Sequence, residues 1–290
     1  MNYKRGETLF SILGILAILF AMLFLFSIAL KLFLDGMGRI LDIKFYTSYP
    51  SRFPEEAGIL SALVGTLYVM AGAIFWSILL GVPSGIYLEE FGGKGKIARI
   101  IEANITNLSA VPSIIYGLLA LGIFVYRFGF GESILTAGLT LGLLMLPVIV
   151  VTTRESLRRI PRAIREGAYA LGATNYELVF HHLLPYSLGG ILTGVIIAIS
   201  RAIGETAPLL TIGALTFIAF LPPAPWEDFI GMLKSPFTVL PIQMFNWVSR
   251  PQEAFHKNAA AAGFILLVFC LLLNSVSFYL RYRLRKKYHW

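Results

Sequence analysis

The stretch IPRAIREGAYALGATNYELVFHHLLP, residues 160–185, is the most informative segment of the chain, because it predicts two short helices that meet at a glycine. Pro161 suits the first turn of a helix, where its missing N–H leaves no intrahelical bond unmade. Apolar side chains then recur at helical spacing, namely Ile164, Ala168 and Leu171. Gly172 is typical of the residue that follows a helix. The first helix is therefore expected between Pro161 and Gly172.

The second helix is predicted to begin just after that glycine. Thr174 and Glu177 form a T-x-x-E capping box, in which side chains satisfy the free N–H groups at a helix start. Pro185 is expected to close this helix. A simpler interpretation is a basic amphipathic loop that rests on lipid headgroups. Two separately capped helices, lying against the cytoplasmic surface, favour a more specific role.

The rest of the chain is apolar enough to cross a membrane several times. Of its 290 residues, 57% are hydrophobic and only 14% are charged, which is too little charge for a soluble domain of this length. A spanning helix needs about 20 mostly apolar residues. Six segments meet that length, near 9–34, 59–82, 104–126, 133–153, 188–220 and 259–280. The predicted fold class is all-α integral membrane, with six transmembrane helices.

The first apolar run is expected to be a retained helix. It is too long for the core of a signal peptide, and no small-residue cleavage site follows it. The single cysteine, Cys270, lies in the last predicted span, which excludes an internal disulfide and a cysteine-based metal site.

Lys and Arg are unevenly distributed around the predicted spans. Fifteen lie on one side, at 4–5, 94–99, 154–165 and 281–287, and eight lie on the other. The positive-inside rule therefore predicts that both termini are cytoplasmic. Because the basic residues flank spans and do not form one groove, the net charge of +8 does not indicate nucleic-acid binding.

Two charges, Arg201 and Glu205, interrupt the apolar run 188–220. On a helix they are four residues apart and share a face. Each costs about 2.5–3.5 kcal/mol near the bilayer centre, so both are expected to face the bundle interior or a water-filled path. Small residues at four-residue spacing predict a close helix contact beside them: Gly190, Gly194, Ala198 and Ala202. Two interpretations stay open, an ion pair that fixes helix register and a transport pathway.

The sequence shows no grouping typical of catalysis or metal binding. The adjacent His181 and His182 point to different helix faces and make a poor metal pair. The stretch GGKGK, 92–96, lacks the spacing of a phosphate-binding loop, because Glu90 and Ile97 occupy the positions that need glycine and a hydroxyl. The chain is therefore predicted to be non-enzymatic, to bind no cofactor or metal, and to draw energy from a partner.

The 160–185 segment resembles the E-A-A-x3-G-x9-I-x-L-P cytoplasmic loop of ABC-importer permeases. The matching positions are Glu166, Ala168, Gly172, Leu184 and Pro185, while Gly167 and His182 replace the usual alanine and isoleucine. In that family the loop docks into a cleft on the cytoplasmic ATPase. The resemblance implies that docking is carried by Glu166, Ala168 and Gly172, with Arg165 and Tyr169 as neighbouring contacts.

Residues 57–281 as a whole resemble the PstA-type permeases of phosphate-specific ABC importers. Besides the loop, the resemblance rests on VPSIIYGLLALGIF (111–124), SRAIGETAPLL (200–210) and SPFTVLPIQMFNWVSRPQEAFHKNAAAA (235–262). It implies the MetI-like permease fold, with a five-helix core and the first span outside it. The implied organisation is a first helix and outer loop (1–56), the permease core (57–281) with its coupling loop (154–187), and a basic cytoplasmic tail (282–290).

The resemblance also implies partners and a cargo. These are a PstC-type sister permease, a dimer of cytoplasmic ABC ATPases, an external phosphate-binding protein, inorganic phosphate and the bilayer of the cell membrane. The outer connection 221–257 is rich in aromatic residues: Trp226, Phe229, Phe237, Phe245 and Trp247. It is either an interfacial aromatic belt or the surface that receives the binding protein.

Within this family, Arg201 gains a specific hypothesis. A guanidinium offers phosphate two parallel donors, so Arg201, Glu205 and Thr206 are predicted to line the anion pathway. Glu205 would orient Arg201 and keep the anion from binding too tightly. The alternatives are the PstC-type sister, a permease for another oxyanion, a secondary transporter driven by an ion gradient, and a membrane scaffold without cargo.

Overall fold

The computed structural model describes residues 2–93 and 95–287, and all regular structure within them is helical. In chain order the α-helices are α1 (Asn2–Ile40), α2 (Ile43–Thr47), α3 (Leu60–Ile86), α4 (Lys96–Ala110), α5 (Ser113–Ala120), α6 (Ile134–Arg158), α7 (Arg162–Ala170), α8 (Asn175–Glu177), α9 (Leu184–Ala202), α10 (Ala207–Thr211), α11 (Phe229–Lys234), α12 (Leu240–Val248) and α13 (Glu253–Lys287). Three π-helical segments continue α3, α5 and α8: Tyr87–Phe91, Leu121–Arg127 and Leu178–Leu183. The all-helical prediction is confirmed.

Five helices of the described chain are long and apolar enough to span a membrane. They are Phe10–Ile40, Leu60–Phe91, Ile134–Arg158, Asn175–Ala202 and Glu253–Arg283. Helices therefore lie at the predicted first, second, fourth and sixth spans, and each continues beyond the predicted C-terminal end.

The predicted third span, 104–126, is not one straight helix. Helix α4 and the helix Ser113–Arg127 meet at an angle of 113°, and the chain reaches six spans only if this bent pair counts as one crossing. The break lies at Val111 and Pro112. Val111 is extended (φ −75°, ψ 132°), as expected for a residue whose helical conformation would clash with the following proline ring.

The predicted fifth span, 188–220, is wrong at both ends. Its helix begins at Asn175 and ends at Ala202. At the beginning, Pro185 does not close the preceding helix as predicted. The π-helical turn before it bonds Leu184 N–H to Val179 O, five residues back, and this wider turn accommodates the proline. Beyond Ala202 the chain turns and forms only the short α10, which ends before Gly213 at φ +89°.

Helices α3 and α6 form the centre of the bundle and pack through small residues. Four-residue spacing on α3 places small side chains on one buried face: Ala73, Ser77, Gly81 and Gly85. Gly138 of α6 packs against the backbone of Gly72, and a Cβ at Gly142 would contact Ala73 O at 3.3 Å. Such close approach increases dispersion contact between helices where lipid provides no hydrophobic driving force.

Helix α1 lies outside this centre and is held at one end. Its residues 10–27 are exposed to the surroundings of the single chain, whereas Gly36 lies directly against the backbone of Ala261 in α13. Arg39 fixes the same end, donating to Asn258 Oδ1 at 3.0 Å and to Asp42 Oδ2 at 2.8 Å. We call this the far end of the bundle, and the end carrying α7 and α8 the loop end.

Candidate functional site

Arg201 lies in the last turn of α9, and Glu205 lies beyond the helix end, in the segment that leads to α10. The sequence predicted that the two residues lie on one continuous helix. This is wrong, because α9 ends between them. The turn nevertheless brings them together, with Arg201 Nε 3.9 Å from Glu205 Oε1. Thr206 follows at the start of α10, where its carbonyl accepts from Leu210 N–H at 2.9 Å. The three predicted pathway residues are adjacent.

The guanidinium of Arg201 has donors that no described residue occupies. It is 49% exposed and makes no hydrogen bond with any residue that the structure describes. By contrast, the arginines of the described chain that lie mostly inside the fold are fully engaged: Arg39, Arg154 and Arg165 each donate two or more hydrogen bonds. Arg201 differs from these three in its greater exposure and in its unoccupied donors.

Arg201 borders a small cleft at the bend of the broken span. The cleft is lined by Leu108, Ser109, Val111, Tyr116, Leu144, Pro147, Val148 and Arg201. The hydroxyl of Tyr116, which is 4% exposed, donates to Leu108 O at 2.7 Å and so ties the two halves of the bend together. The free space is about 20 Å³, which is room for a water molecule. This cleft therefore does not enclose an anion as large as phosphate.

The small residues below Arg201 form the predicted helix contact. Ala198 and Ala202 are each 1% exposed. A Cβ at Gly190 would overlap the side chain of Ser156, and a Cβ at Gly194 would overlap that of Thr152. This contact packs α9 directly against α6 and fixes the position of Arg201 along the bundle axis.

The 160–185 segment has the predicted glycine corner. Helix α7 ends before Gly172, whose φ is +85°, and the Thr174–Glu177 capping box is complete in both directions. The corner presents side chains outward: Leu171 is 91% exposed and Tyr176 is 62% exposed. These two apolar side chains are therefore accessible at the tip of the corner.

The predicted docking residues fall on two sides of this segment. Glu166, Tyr169 and Gly172 lie on its exposed side. Ala168 points inward and is 7% exposed, in a small core with Ile86, Leu157 and Leu183. It holds the segment against α3 and α6, and its predicted contact with an ATPase stays a prediction.

Arg165 is also engaged within the chain. Its guanidinium contacts Glu90 Oε1 at 2.7 Å and donates to Ile160 O at 2.8 Å and Leu157 O at 3.0 Å. The side chains of Arg165 and Glu90 are only 20% and 11% exposed. Arg165 thus anchors α7 to the π-helical turn Tyr87–Phe91, and its predicted contact with an ATPase stays a prediction.

Sequence analysis missed a group of charges around this anchor. Glu89 accepts from Arg158 at 2.8 Å and from Arg154 at 3.4 Å, and Arg154 also donates to Glu102 at 2.8 Å. The partners are 52 to 69 residues apart in sequence, so no local spacing pattern could reveal them. The adjacent pair Glu89-Glu90 at the end of an apolar run was the one available signal.

The aromatic residues of the connection 221–257 divide into two classes. Phe237 is 2% exposed and Trp247 is fully buried, so these two are core residues of the far end. Trp226, Phe229 and Phe245 are 84%, 58% and 54% exposed. The exposed group keeps both predicted roles open, an interfacial belt or a docking surface.

The chain has clear relatives among known proteins. Residues 77–288 match the family described as binding-protein-dependent transport system inner membrane component. The phosphate transport system permease protein PstA 1 of Mycobacterium tuberculosis is 30% identical over 231 residues, 79% of this chain and 73% of that protein. PstA of Yersinia pestis is 32% identical over 244 residues, 84% of this chain and 77% of that protein.

The fold also has a counterpart among solved structures. A chain of the inward-facing MetNI methionine ABC transporter superposes with a TM-score of 0.57. The match covers 76% of this chain and 94% of that chain at 19% sequence identity. At this identity the likeness concerns the fold alone.

Proposed function

Because the chain belongs to the family of binding-protein-dependent transport system inner membrane components, we propose that it is the permease subunit of an ATP-driven phosphate importer. Family membership makes it a multi-pass membrane protein of ABC-importer type. The assignment of phosphate as the cargo rests on one observation, the similarity of the chain to PstA phosphate permeases over about four-fifths of its length. The fold does not identify the cargo, since one fold serves many cargos.

The geometry at Arg201 supports an anionic cargo. Its free guanidinium donors match two oxygens of a phosphate. Because the cleft of one chain is water-sized, the pathway is completed by a sister permease of the PstC type that faces Arg201. Glu205, at 3.9 Å, orients the guanidinium and competes for its charge, which favours passage of the anion over capture.

The remaining assignments follow from the same proposal. Two copies of a cytoplasmic ATPase engage the exposed side of the 160–185 segment through Glu166, Tyr169 and Gly172, with Leu171 and Tyr176 as further contacts. Both termini are then cytoplasmic, and the far end, with its exposed aromatic residues, receives a phosphate-loaded binding protein from outside. The chain itself makes and breaks no covalent bond.

Co-purification from native membranes tests the proposal. We expect the chain to bring down a second permease and an ABC ATPase, whose ATP hydrolysis rises when phosphate-loaded binding protein is added. Binding protein without phosphate is the matched control. Nucleotide-independent phosphate movement by this chain alone would contradict the proposal and indicate a secondary transporter. Stimulation by a different oxyanion, with phosphate inert, would reject the cargo and keep the family.

A further inference from the structure

The loop end contains two sets of ion pairs, connected through one π-helical turn, that join the 160–185 segment to the broken span. It starts at Arg165 of α7, which contacts Glu90 at 2.7 Å. Glu89, the neighbour of Glu90 on the same π-helical turn, contacts Arg154 of α6 at 3.4 Å. Arg154 contacts Glu102 of α4 at 2.8 Å. We call these five residues the charge relay.

The buried ion pairs of this relay differ from ordinary surface ion pairs. The side chains of Glu89, Glu90 and Arg154 are between 11% and 15% exposed. Exposed ion pairs contribute little and exchange freely, whereas a mostly buried pair holds its geometry, because separating it leaves a charge without a partner. The buried pairs therefore constrain the distances between α7, the π-helical turn and α6, and the half-exposed Glu102 extends the contact of Arg154 to α4.

The covalent connection between the same elements is, by contrast, rich in glycine. Three of the four residues between the π-helical turn and α4 are glycines, at positions 92, 93 and 95. Glycine lacks the side chain that restricts the backbone, and Gly93 adopts φ +50°. A displacement of α3 and α7 reaches α4 through the ion pairs better than through this linker.

Helix α4 leads directly to the candidate pathway. Its last turn contributes Leu108 and Ser109 to the cleft beside Arg201. The hydroxyl of Tyr116 donates to Leu108 O across the bend at 2.7 Å. This bond ties the helix Ser113–Arg127 to α4, so the two halves of the broken span are expected to move together. The relay thus ends on the element that shapes the cleft.

We propose that the charge relay Arg165–Glu90–Glu89–Arg154–Glu102 is a set of positioning residues that makes the 160–185 segment and the broken span move as one body. The inference rests on the proposed function for its biological meaning. Coupling between distant sites travels through such contiguous contacts when they hold rigid elements together. ATPase closure at α7 would then change the cleft at Arg201.

Glu102→Gln is the variant that tests the relay. Glu102 is 51% exposed, and its loss leaves Arg154 paired with Glu89, so the chain is expected to fold and assemble. Glu155→Gln is the matched control: this carboxylate also pairs with an arginine at the loop end, Arg158 at 3.6 Å, but within one helix. It therefore joins no two elements.

The first measurement is the ratio of ATP hydrolysed to phosphate imported, in proteoliposomes containing the whole transporter complex. We expect Glu102→Gln to raise this ratio several-fold with unchanged subunit composition, and Glu155→Gln to leave it at the wild-type value. An unchanged ratio in Glu102→Gln would overturn the inference. A wild-type complex that imports no phosphate would instead reject the proposed function.

The second measurement separates the relay from the cargo. Spin labels at Ala163 in α7 and Ile100 in α4, both exposed, are introduced in a Cys270→Ser background and measured in the complex with and without ATP. We expect one narrow distance distribution in the wild type and in Glu155→Gln, and a broadened one in Glu102→Gln. A broad wild-type distribution, or a narrow one in Glu102→Gln, would overturn the inference whatever the cargo.

Discussion

The carboxylate of Glu205 lies 3.9 Å from Arg201 Nε, although the helix that carries Arg201 ends between them at Ala202. At this distance the contact is an attraction of charges and not a hydrogen bond. The guanidinium makes no hydrogen bond with any described residue. The pair thus places an attracting carboxylate beside a guanidinium whose donors are unoccupied.

Glu205→Gln should make the pathway hold its anion more strongly. Removing the carboxylate removes the charge that competes with phosphate for Arg201, so we expect more phosphate bound to the detergent-solubilised complex and a several-fold lower maximal uptake. Bound and transported radioactive phosphate are measured on the same preparation. Glu205→Asp keeps the charge and should stay near wild type. Equal binding and uptake in Glu205→Gln and wild type would reject this role.

Gly172→Ala should weaken the corner of the 160–185 segment. Gly172 has φ +85°, and a side chain in this left-handed region costs roughly 1–2 kcal/mol. We expect less ATPase to co-purify with the permease. Gly167→Ala is the matched control, since a Cβ there meets no atom within 4 Å and the residue is helical. Equal ATPase recovery from both variants would show that the corner does not depend on this conformation.

Gly194→Ala should destabilise the contact between α9 and α6. The added Cβ overlaps the side chain of Thr152, and forcing such an overlap costs about 1–3 kcal/mol. Thermal unfolding in detergent, followed by size-exclusion chromatography, should show a lower midpoint. Gly189→Ala, on the same helix with open space around the Cβ, should show no loss. If Gly194→Ala unfolds at the wild-type temperature, the two helices are not as close as described.

The largest successes of sequence reasoning were local. The T-x-x-E box at Thr174, the terminator at Gly172 and the small-residue spacing from Gly190 all depend on neighbours within four residues, and each is found in the structure. Hydrophobic length likewise located most spans, because burying about 20 apolar residues requires a continuous helix.

The span predictions that are wrong were based on the length of an apolar run alone. The apolar run 188–220 predicts one helix, yet the chain turns after Ala202, since apolar residues also occupy non-helical segments inside a bundle. Pro112 breaks its span while Pro185 is accommodated by a π-helical turn, and the two prolines look alike in sequence. The charge relay joins partners up to 75 residues apart, which only the fold brings together.

Arg39→Met should loosen α1 from the rest of the bundle. It removes donors to Asp42, to Asn258 and to Glu55 O, the last at 2.9 Å, and we expect a loss of about 3 kcal/mol from these charge-assisted bonds. A lower unfolding midpoint in detergent checks this. Arg52→Met, at an exposed position nearby, changes the net charge equally and should be neutral. Equal midpoints for the two variants would show that Arg39 is not the anchor.

The role of Arg201 is tested most directly by uptake of radioactive phosphate into proteoliposomes containing complexes of equal subunit composition, with wild-type, Lys or Ala at position 201. Losing the hydrogen bonds between the guanidinium and a charged anion costs about 1.5–3 kcal/mol, or roughly ten- to a hundredfold in rate. We expect Arg201→Ala to lose that much uptake while assembly is intact, and Arg201→Lys to fall between Ala and wild type. Wild-type uptake by Arg201→Ala would contradict the pathway, and loss of assembly alone would make Arg201 a residue that fixes helix register.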